Sequence, residues 1–164
     1  MKKTYYQCRF IQTAPLCITN GEGEISDLDL LLDRRGLPFL PGTAIAGLLR
    51  SMVRQEADRE RLFGYIREKT GEAVESRVIV SDACLPIGTS RNDIAITERD
   101  GVGIDPNTGA AKAGAKYDFQ VVETCVPYTA VLELDQAGTD DSEKAADTLA
   151  GLMTRLASEG LSAG

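Results

Sequence analysis

The densest group of side chains suited to chemistry is an acidic run containing Asp27, Asp29 and Asp33. The chain has no histidine, which excludes a Ser-His-Asp triad, a Cys-His pair and every histidine-ligated zinc site. Any catalysis must therefore rest on carboxylates, Lys, Arg, Tyr, Cys or a bound metal. The run lies in a predicted loop, where the three aspartates could also serve turn formation and solubility and have no part in catalysis.

Basic residues are dispersed along the chain. The formal net charge is −7, but residues 1–100 carry 14 Lys and Arg against 15 Asp and Glu (net −1), whereas residues 101–164 carry 4 against 10 (net −6). The first part can therefore present a local arginine face, although the chain is no general binder of polyanions. Arg50 and Arg54 could belong to such a face, but they could also simply solvate the outer surface of a helix.

Glycine-rich segments do not match known nucleotide-binding fingerprints. The segment 109–116 contains Gly and Lys but lacks the Gly-Lys-Ser/Thr ending of a phosphate-binding loop. Gly101 and Gly103 are followed by Pro106 and not by the third glycine of a dinucleotide site. We therefore expect no nucleotide or dinucleotide cofactor.

Hydropathy indicates a cytoplasmic protein with no membrane association. Apolar runs such as 30–32 and 37–40 are far shorter than the roughly 20 residues that span a bilayer. The first seven residues contain no apolar region of the kind found in secretory signals.

Periodicity predicts the elements that must position these side chains. Alternation predicts a strand over 4–16, and β-rich composition predicts a second over 76–83. A helix is expected to begin after Pro41, capped by Gly42 or Thr43. Gly47 in its middle costs about 1 kcal/mol relative to Ala, which predicts a compensating close packing contact. The buried stripe of this helix is Ile45, Leu48, Leu49, Met52 and Val53.

The second half predicts a short strand over 93–97, an exposed loop or hairpin over 100–114, and a third strand or bent hairpin over 117–134. A last helix should run from Asp140 to near Gly160. Six apolar side chains should form a core shared by the two helices on one face of an antiparallel sheet: Ile45, Leu49, Met52, Leu149, Leu152 and Leu156.

The element order β-α-β-β-α predicts an α+β, ferredoxin-like (RRM-like) fold in one domain over 1–164. The sequence stops where the final strand of that fold would begin. We expect either a partner to supply the strand or the sequence to be a fragment of a longer protein.

Four segments in order resemble the RAMP superfamily of CRISPR-associated proteins, and most closely the backbone subunits of type III effector complexes. The segment 37–50 resembles the family's proline-glycine step and its helix with a glycine and an arginine. The segment 62–64 resembles a short Leu-Phe-Gly motif, 77–83 the second strand, and 104–119 the thumb and the strand after it. Ala46 stands where members usually have lysine, and the glycine-rich segment after the last helix is missing.

The resemblance implies a subunit that binds guide CRISPR RNA and contacts target RNA and other effector subunits, with repeated copies in a filament. Target-RNA cleavage is the open question, and a non-catalytic structural RAMP subunit is the alternative. An unrelated small ferredoxin-like domain that binds another ligand is the third reading.

The same resemblance assigns the site residues. Asp27 would be catalytic, because the family's catalytic aspartate lies six residues before a second aspartate that precedes the proline-glycine step; Asp29 and Asp33 are alternates. Asp27 would also hold Mg²⁺ or Mn²⁺ if cleavage is metal-assisted. A thumb loop over 91–114 would place Val102 or Ile104 between bases. The cationic RNA-binding residues would be Arg50, Arg54, Arg77, Arg91, Arg99, Lys112 and Lys116.

Overall fold

The computed structural model describes residues 2–19, 21, 26–137 and 140–160. The chain divides into two compact units. The first comprises Met1–Cys8, Leu40–Ala83 and Ala130–Gly164, and the second comprises Arg9–Phe39 and Cys84–Thr129.

The described residues form seven strands and three α-helices. The strands are β1 (Lys3–Ile11), β2 (Tyr65–Arg67), β3 (Glu72–Val74), β4 (Val78–Val80), β5 (Ile96–Ile104), β6 (Ala111–Val122) and β7 (Pro127–Asp135). The helices are α1 (Gly42–Met52), α2 (Glu56–Phe63) and α3 (Asp140–Glu159).

Three strands form the main sheet in the order β1-β7-β4. Strand β4 pairs antiparallel with β7, with Val78 opposite Leu134 and Val80 opposite Leu132. With α1 and α3, these strands give the order β1-α1-β4-β7-α3, which is the predicted β-α-β-β-α order. The ferredoxin-like α+β class is confirmed.

The helical core of the first unit agrees largely with the periodicity. Ile45 and Leu49 of α1 and Leu149 and Leu152 of α3 are buried. The remaining two predicted positions, Met52 and Leu156, are half-buried. The predicted stripe on α1 is therefore correct at Ile45, Leu49 and Val53, which are buried, whereas Leu48 is half-buried like Met52.

Two details of α1 differ from the predictions. The helix has no side-chain cap of its own; instead the Gly42 N–H donates to Asp82 Oδ1 at 2.8 Å. The expected close contact at Gly47 is wrong, because a Cβ there would meet nothing within 4 Å. The close approach lies at Gly42, where a Cβ would stand 2.1 Å from the Val80 carbonyl oxygen.

The sequence patterns missed α2 and the β2–β3 hairpin that follows it. Helix α2 is eight residues long and buries only Leu62, so it has little apolar periodicity to detect. Each hairpin strand has three residues. Gly64 joins the helix to the hairpin with φ of +67°, and a Cβ there would stand 2.2 Å from the Val74 carbonyl oxygen.

Strands β5 and β6 form a separate antiparallel hairpin, here named the thumb hairpin (Ile96–Val122). The predicted thumb loop 91–114 consists of a 3-10 turn at Arg91–Asp93, the whole of β5, a turn, and the start of β6. The segment 100–114 is therefore a hairpin, one of the two alternatives predicted for it. Its pairing register shifts between Val102 and Ile104. Glycine, alanine and polar residues dominate the paired segment between 98 and 116, so apolar alternation is weak there and the composition did not distinguish a hairpin from a loop.

Candidate functional site

The loop that carries Asp27 is attached to β6 in the second unit. Leu28 forms a parallel bridge with Phe119. The Leu28 N–H donates to the Asp118 carbonyl, and the Gln120 N–H donates to the Leu28 carbonyl, both at 3.1 Å. The Asp118 N–H donates to Asp27 Oδ2 at 3.0 Å. Asp27 is exposed, so its carboxylate is fixed on one side and accessible to solvent.

The two alternate aspartates take part in local turns. Asp29 Oδ1 accepts from the Ser26 N–H at 2.9 Å and from the Ser26 hydroxyl at 2.7 Å. Asp33 Oδ1 accepts from the N–H groups of Arg35 and Leu37 at 2.8 and 3.0 Å, and Oδ2 accepts from the Arg35 guanidinium at 2.9 Å. Desolvation opposes ionisation of Asp33, but the bonds from Leu37 and Arg35 together hold its pKa below the usual value. These contacts give both aspartates a structural role in the loop.

One face of the thumb hairpin combines apolar and acidic side chains. Side chains two apart on a strand share a face, so Asp100, Val102 and Ile104 of β5 point the same way. Asp118 of β6 lies directly opposite Asp100. Val102 and Ile104 are 44% and 53% exposed.

The acidic pair on this face was missed by the sequence analysis. A hydrogen bond with Asp100, then desolvation and the charges of Asp100, Asp27 and Glu98, raise the pKa of Asp118 above its usual value. Charges of one sign that lie directly opposite across two strands destabilise the pair. That Asp100 and Asp118 lie opposite each other follows only from the pairing register of the hairpin, and a glycine-rich sequence does not predict that register.

The opposite face of the hairpin is aromatic. Tyr117 lies opposite Gly101, and a Cβ at Gly101 would stand 2.4 Å from the Tyr117 ring. The rings of Tyr117 and Phe119 are 5.8 Å apart and tilted. The Thr97 hydroxyl and the Arg99 guanidinium on this face both donate to Glu123, the latter at 2.9 Å. The bond from Thr97 and then that from Arg99 hold the pKa of Glu123 below its usual value.

Three of the predicted cations lie in the first unit. Arg50 donates to the carbonyls of Phe63 and Gly64 at 3.5 and 3.0 Å, so part of its guanidinium holds the α2–β2 connection. Arg54 is exposed and Arg77 half-buried. Arg50 also borders an open groove of about 360 Å³ between α1 and β4. Small residues and backbone of α1 form much of its wall: Gly42, Thr43, Ala46 and Gly47.

The other predicted cations lie in the second unit. Arg91 donates to the Ile94 carbonyl at 3.3 Å, and Arg99 is engaged with Glu123. Lys112 and Lys116 are exposed on β6. The structure thus groups Asp27, Val102, Ile104, Lys112 and Lys116 within the second unit.

Few side chains are placed so that they could ligate a metal ion. Over the described parts of the chain, no three Cys, Asp or Glu side chains stand close enough together to hold a metal ion. A cage made by the protein alone is therefore absent from those parts. Mg²⁺ commonly uses one or two carboxylates together with substrate phosphates and water, and Asp27 fits that arrangement as a single ligand.

No helix in the described ranges is both long and apolar enough to cross a membrane.

Comparison with known proteins places the chain in a family. The sequence profile of the RAMP superfamily matches residues 11–160, so the chain belongs to the RAMP superfamily, which confirms the resemblance seen in the sequence. No curated protein matches it significantly.

Solved structures share the fold at low sequence identity. A chain in the cryo-EM structure of type III-B Cmr-beta in the apo state is 11% identical, with a TM-score of 0.66 over 90% of this chain and 89% of that one. A chain in the cryo-EM structure of type III-B Cmr-beta bound to cognate target RNA is 10% identical, with a TM-score of 0.67 over 87% of each chain.

Proposed function

We propose that the chain is a guide-RNA-binding backbone subunit of a type III CRISPR effector complex in the cytoplasm, and that it cleaves target RNA with Asp27. Membership of the RAMP superfamily over residues 11–160 carries the proposal. The fold shared with chains in two structures of type III-B Cmr-beta supports it, and one of those structures is of Cmr-beta bound to cognate target RNA.

The thumb hairpin supplies the contact with bases in this proposal. Val102 and Ile104 are exposed apolar side chains on one strand face, suited to insertion between stacked bases without reading their sequence. Lys116 lies directly opposite Val102 and can neutralise a phosphate beside the wedge. Repeated copies along one guide would then separate its bases at regular intervals.

The chemistry assigned to Asp27 is proton transfer. Its carboxylate accepts the proton of a 2′-hydroxyl, the 2′ oxygen bonds to phosphorus, and the bond to the 5′ oxygen breaks as that oxygen takes a proton from solvent. A bound Mg²⁺ or Mn²⁺ would supply polarisation of the phosphate.

The catalytic part is tested in an assembled complex with guide, target and Mg²⁺ or Mn²⁺. Asp27→Ala should abolish cleavage and leave guide and target binding intact, whereas Asp29→Ala, its neighbour in the loop, should retain cleavage. Full cleavage by Asp27→Ala would move the role to Asp29 or Asp33. Absence of cleavage by the unsubstituted complex would favour the non-catalytic structural role.

The RNA-binding part is tested by nuclease footprinting of the guide. Val102→Ser with Ile104→Ser should weaken guide protection. Ile66→Ser with Val74→Ser is the matched control, because these are exposed apolar side chains on the β2–β3 hairpin. Equal protection with both double variants would contradict the assignment of the wedge.

Assembly is tested by light scattering with RNA of CRISPR-repeat size. Association into multiples of the chain on one RNA is expected. A strict monomer at high protein concentration in the presence of RNA would contradict the filament, and absence of RNA binding would contradict the RNA-binding role. The third reading of the sequence, a domain unrelated to this family, is excluded by the match to the RAMP superfamily over residues 11–160.

A further inference from the structure

The loop carrying Asp27 is attached to the free edge of β6 through an isolated parallel bridge between Leu28 and Phe119. Two backbone bonds connect Leu28 to β6, and the next N–H along β6 toward the tip, that of Asp118, donates to the Asp27 side chain. The carboxylate of Asp27 thus takes a position at the end of the ladder that a backbone carbonyl would otherwise occupy.

We propose that the backbone N–H of Asp118 is the group that positions the Asp27 carboxylate for cleavage. This inference rests on the proposed function, because it concerns the orientation of the catalytic carboxylate named there. Asp118 is a positioning residue, and the group that acts is its main-chain N–H, whereas its own carboxyl is dispensable.

The geometry of the strand separates this bond from the folding of the hairpin. The N–H group of a strand residue points toward only one of the two neighbouring strands. In an antiparallel pair of strands, opposite residues alternate between hydrogen-bonded and non-hydrogen-bonded pairs. The N–H groups of Asp118 and Gln120 point toward the Asp27 loop, so neither contributes to the ladder with β5. Removal of the Asp118 N–H therefore leaves every β5–β6 hydrogen bond in place.

Fixing one oxygen matters because Asp27 is otherwise exposed. An exposed aspartate rotates freely about χ1 and χ2, whereas a bond from Asp118 to Oδ2 restricts it to few rotamers. A displacement of about 1 Å in a reacting group can lower a rate about 100-fold. Because the bond comes from β6, the wedge side chains and the catalytic carboxylate move as parts of one hairpin.

The test replaces the N–H and not the side chain. Asp118→Pro should lower kcat for target cleavage about 100-fold, with guide and target dissociation constants unchanged. Asp118→Ala retains the N–H and should cut at least tenfold faster than Asp118→Pro. Glu98→Pro is the matched control on β5, since Glu98 faces Gln120 and its N–H also points away from the ladder.

The outcomes separate this inference from the proposed function. If Asp27→Ala is inactive and Asp118→Pro cuts as fast as Glu98→Pro, only the positioning role is overturned. If Asp118→Ala is as slow as Asp118→Pro, the side chain acts and the inference is also overturned. If Asp27→Ala cuts at the full rate, or the unsubstituted complex does not cut, both fail.

Hydrogen exchange of the isolated chain gives a second measurement that needs neither catalysis nor a proline variant. Asp27→Ala should increase the exchange rate of the Asp118 amide at least tenfold and leave that of Gln120, which donates to Leu28, near its original value. Equal exchange of the Asp118 amide in both proteins would overturn the inference.

Discussion

The same substitution at two glycines of α1 should change stability in opposite directions. Gly42 begins the helix against β4, and a Cβ added there would stand 2.1 Å from the Val80 carbonyl oxygen and 2.9 Å from the Ser81 carbonyl carbon. Both obstacles are backbone atoms, which no side-chain rotation can relieve. Gly47, five residues further along, would place its Cβ in open space.

The magnitude follows from the contact that must be opened. An ordinary contact between a methyl carbon and an oxygen is about 3.3 Å, so the helix start must retreat by roughly 1 Å, and overpacking of this kind costs about 1–3 kcal/mol. The retreat also lengthens the bond from the Gly42 N–H to Asp82, and a bond to a charged acceptor contributes about 1.5–3 kcal/mol. The two costs overlap, and we expect Gly42→Ala to destabilise the chain by about 3 kcal/mol.

Gly47→Ala should instead stabilise by about 0.5–1 kcal/mol, because alanine has the better helix propensity and nothing obstructs it. Urea unfolding of both variants measures the pair, and thermal unfolding should show a midpoint lowered by about 6–12 °C for Gly42→Ala. A Gly42→Ala variant within 0.5 kcal/mol of the parent would refute the packing argument, whatever the result at Gly47.

Three further predictions concern the second unit. Asp33→Ala removes the acceptor for the N–H of Leu37 and should destabilise the chain by about 1–3 kcal/mol in urea unfolding; a smaller change than 0.5 kcal/mol would contradict the turn role. Burial raises the pKa of Tyr128 to about 12, above its unfolded value near 10, so its contribution to stability is complete below pH 10 and is lost as pH rises toward 12. The last step of the phenolate absorbance titration should accordingly vanish in Tyr128→Phe. Gly101→Ala should displace the Tyr117 ring and increase the accessibility of Tyr117 to iodination, with Gly103→Ala as the milder control; unaltered iodination would refute the contact.

Strong periodicity made the ferredoxin-like core predictable. Helix α1 and strand β7 bury side chains at regular intervals. The spacing predicted the helix as such, whereas β7 was covered only by the range 117–134, predicted as a third strand or a bent hairpin. Helix α2 was missed because Leu62 is its only buried residue. The helix therefore depends on tertiary packing, which local sequence periodicity does not predict.

The candidate site was only partly predictable for a different reason. The loop position of Asp27 relative to Asp33 is a local spacing, visible in the sequence. The partnership of Asp27 with Asp118 depends on the attachment of a loop to a strand 91 residues later. The register of the thumb hairpin, which places Asp100 opposite Asp118, is shifted near its tip, and no composition rule gives such a shift.

The shifted register in the thumb hairpin separates two regions with different tolerance to change in length. From Ile96 to Val102, each β5 residue has a fixed partner, whereas Ile104 pairs with Ala111 after the irregularity. Inserting one residue within the paired region would turn every later side chain to the opposite face. Insertions between Ile104 and Ala111 leave the pairing of Ile96–Val102 with β6 unchanged. The reach of the hairpin can therefore change without any change at the attachment of the Asp27 loop.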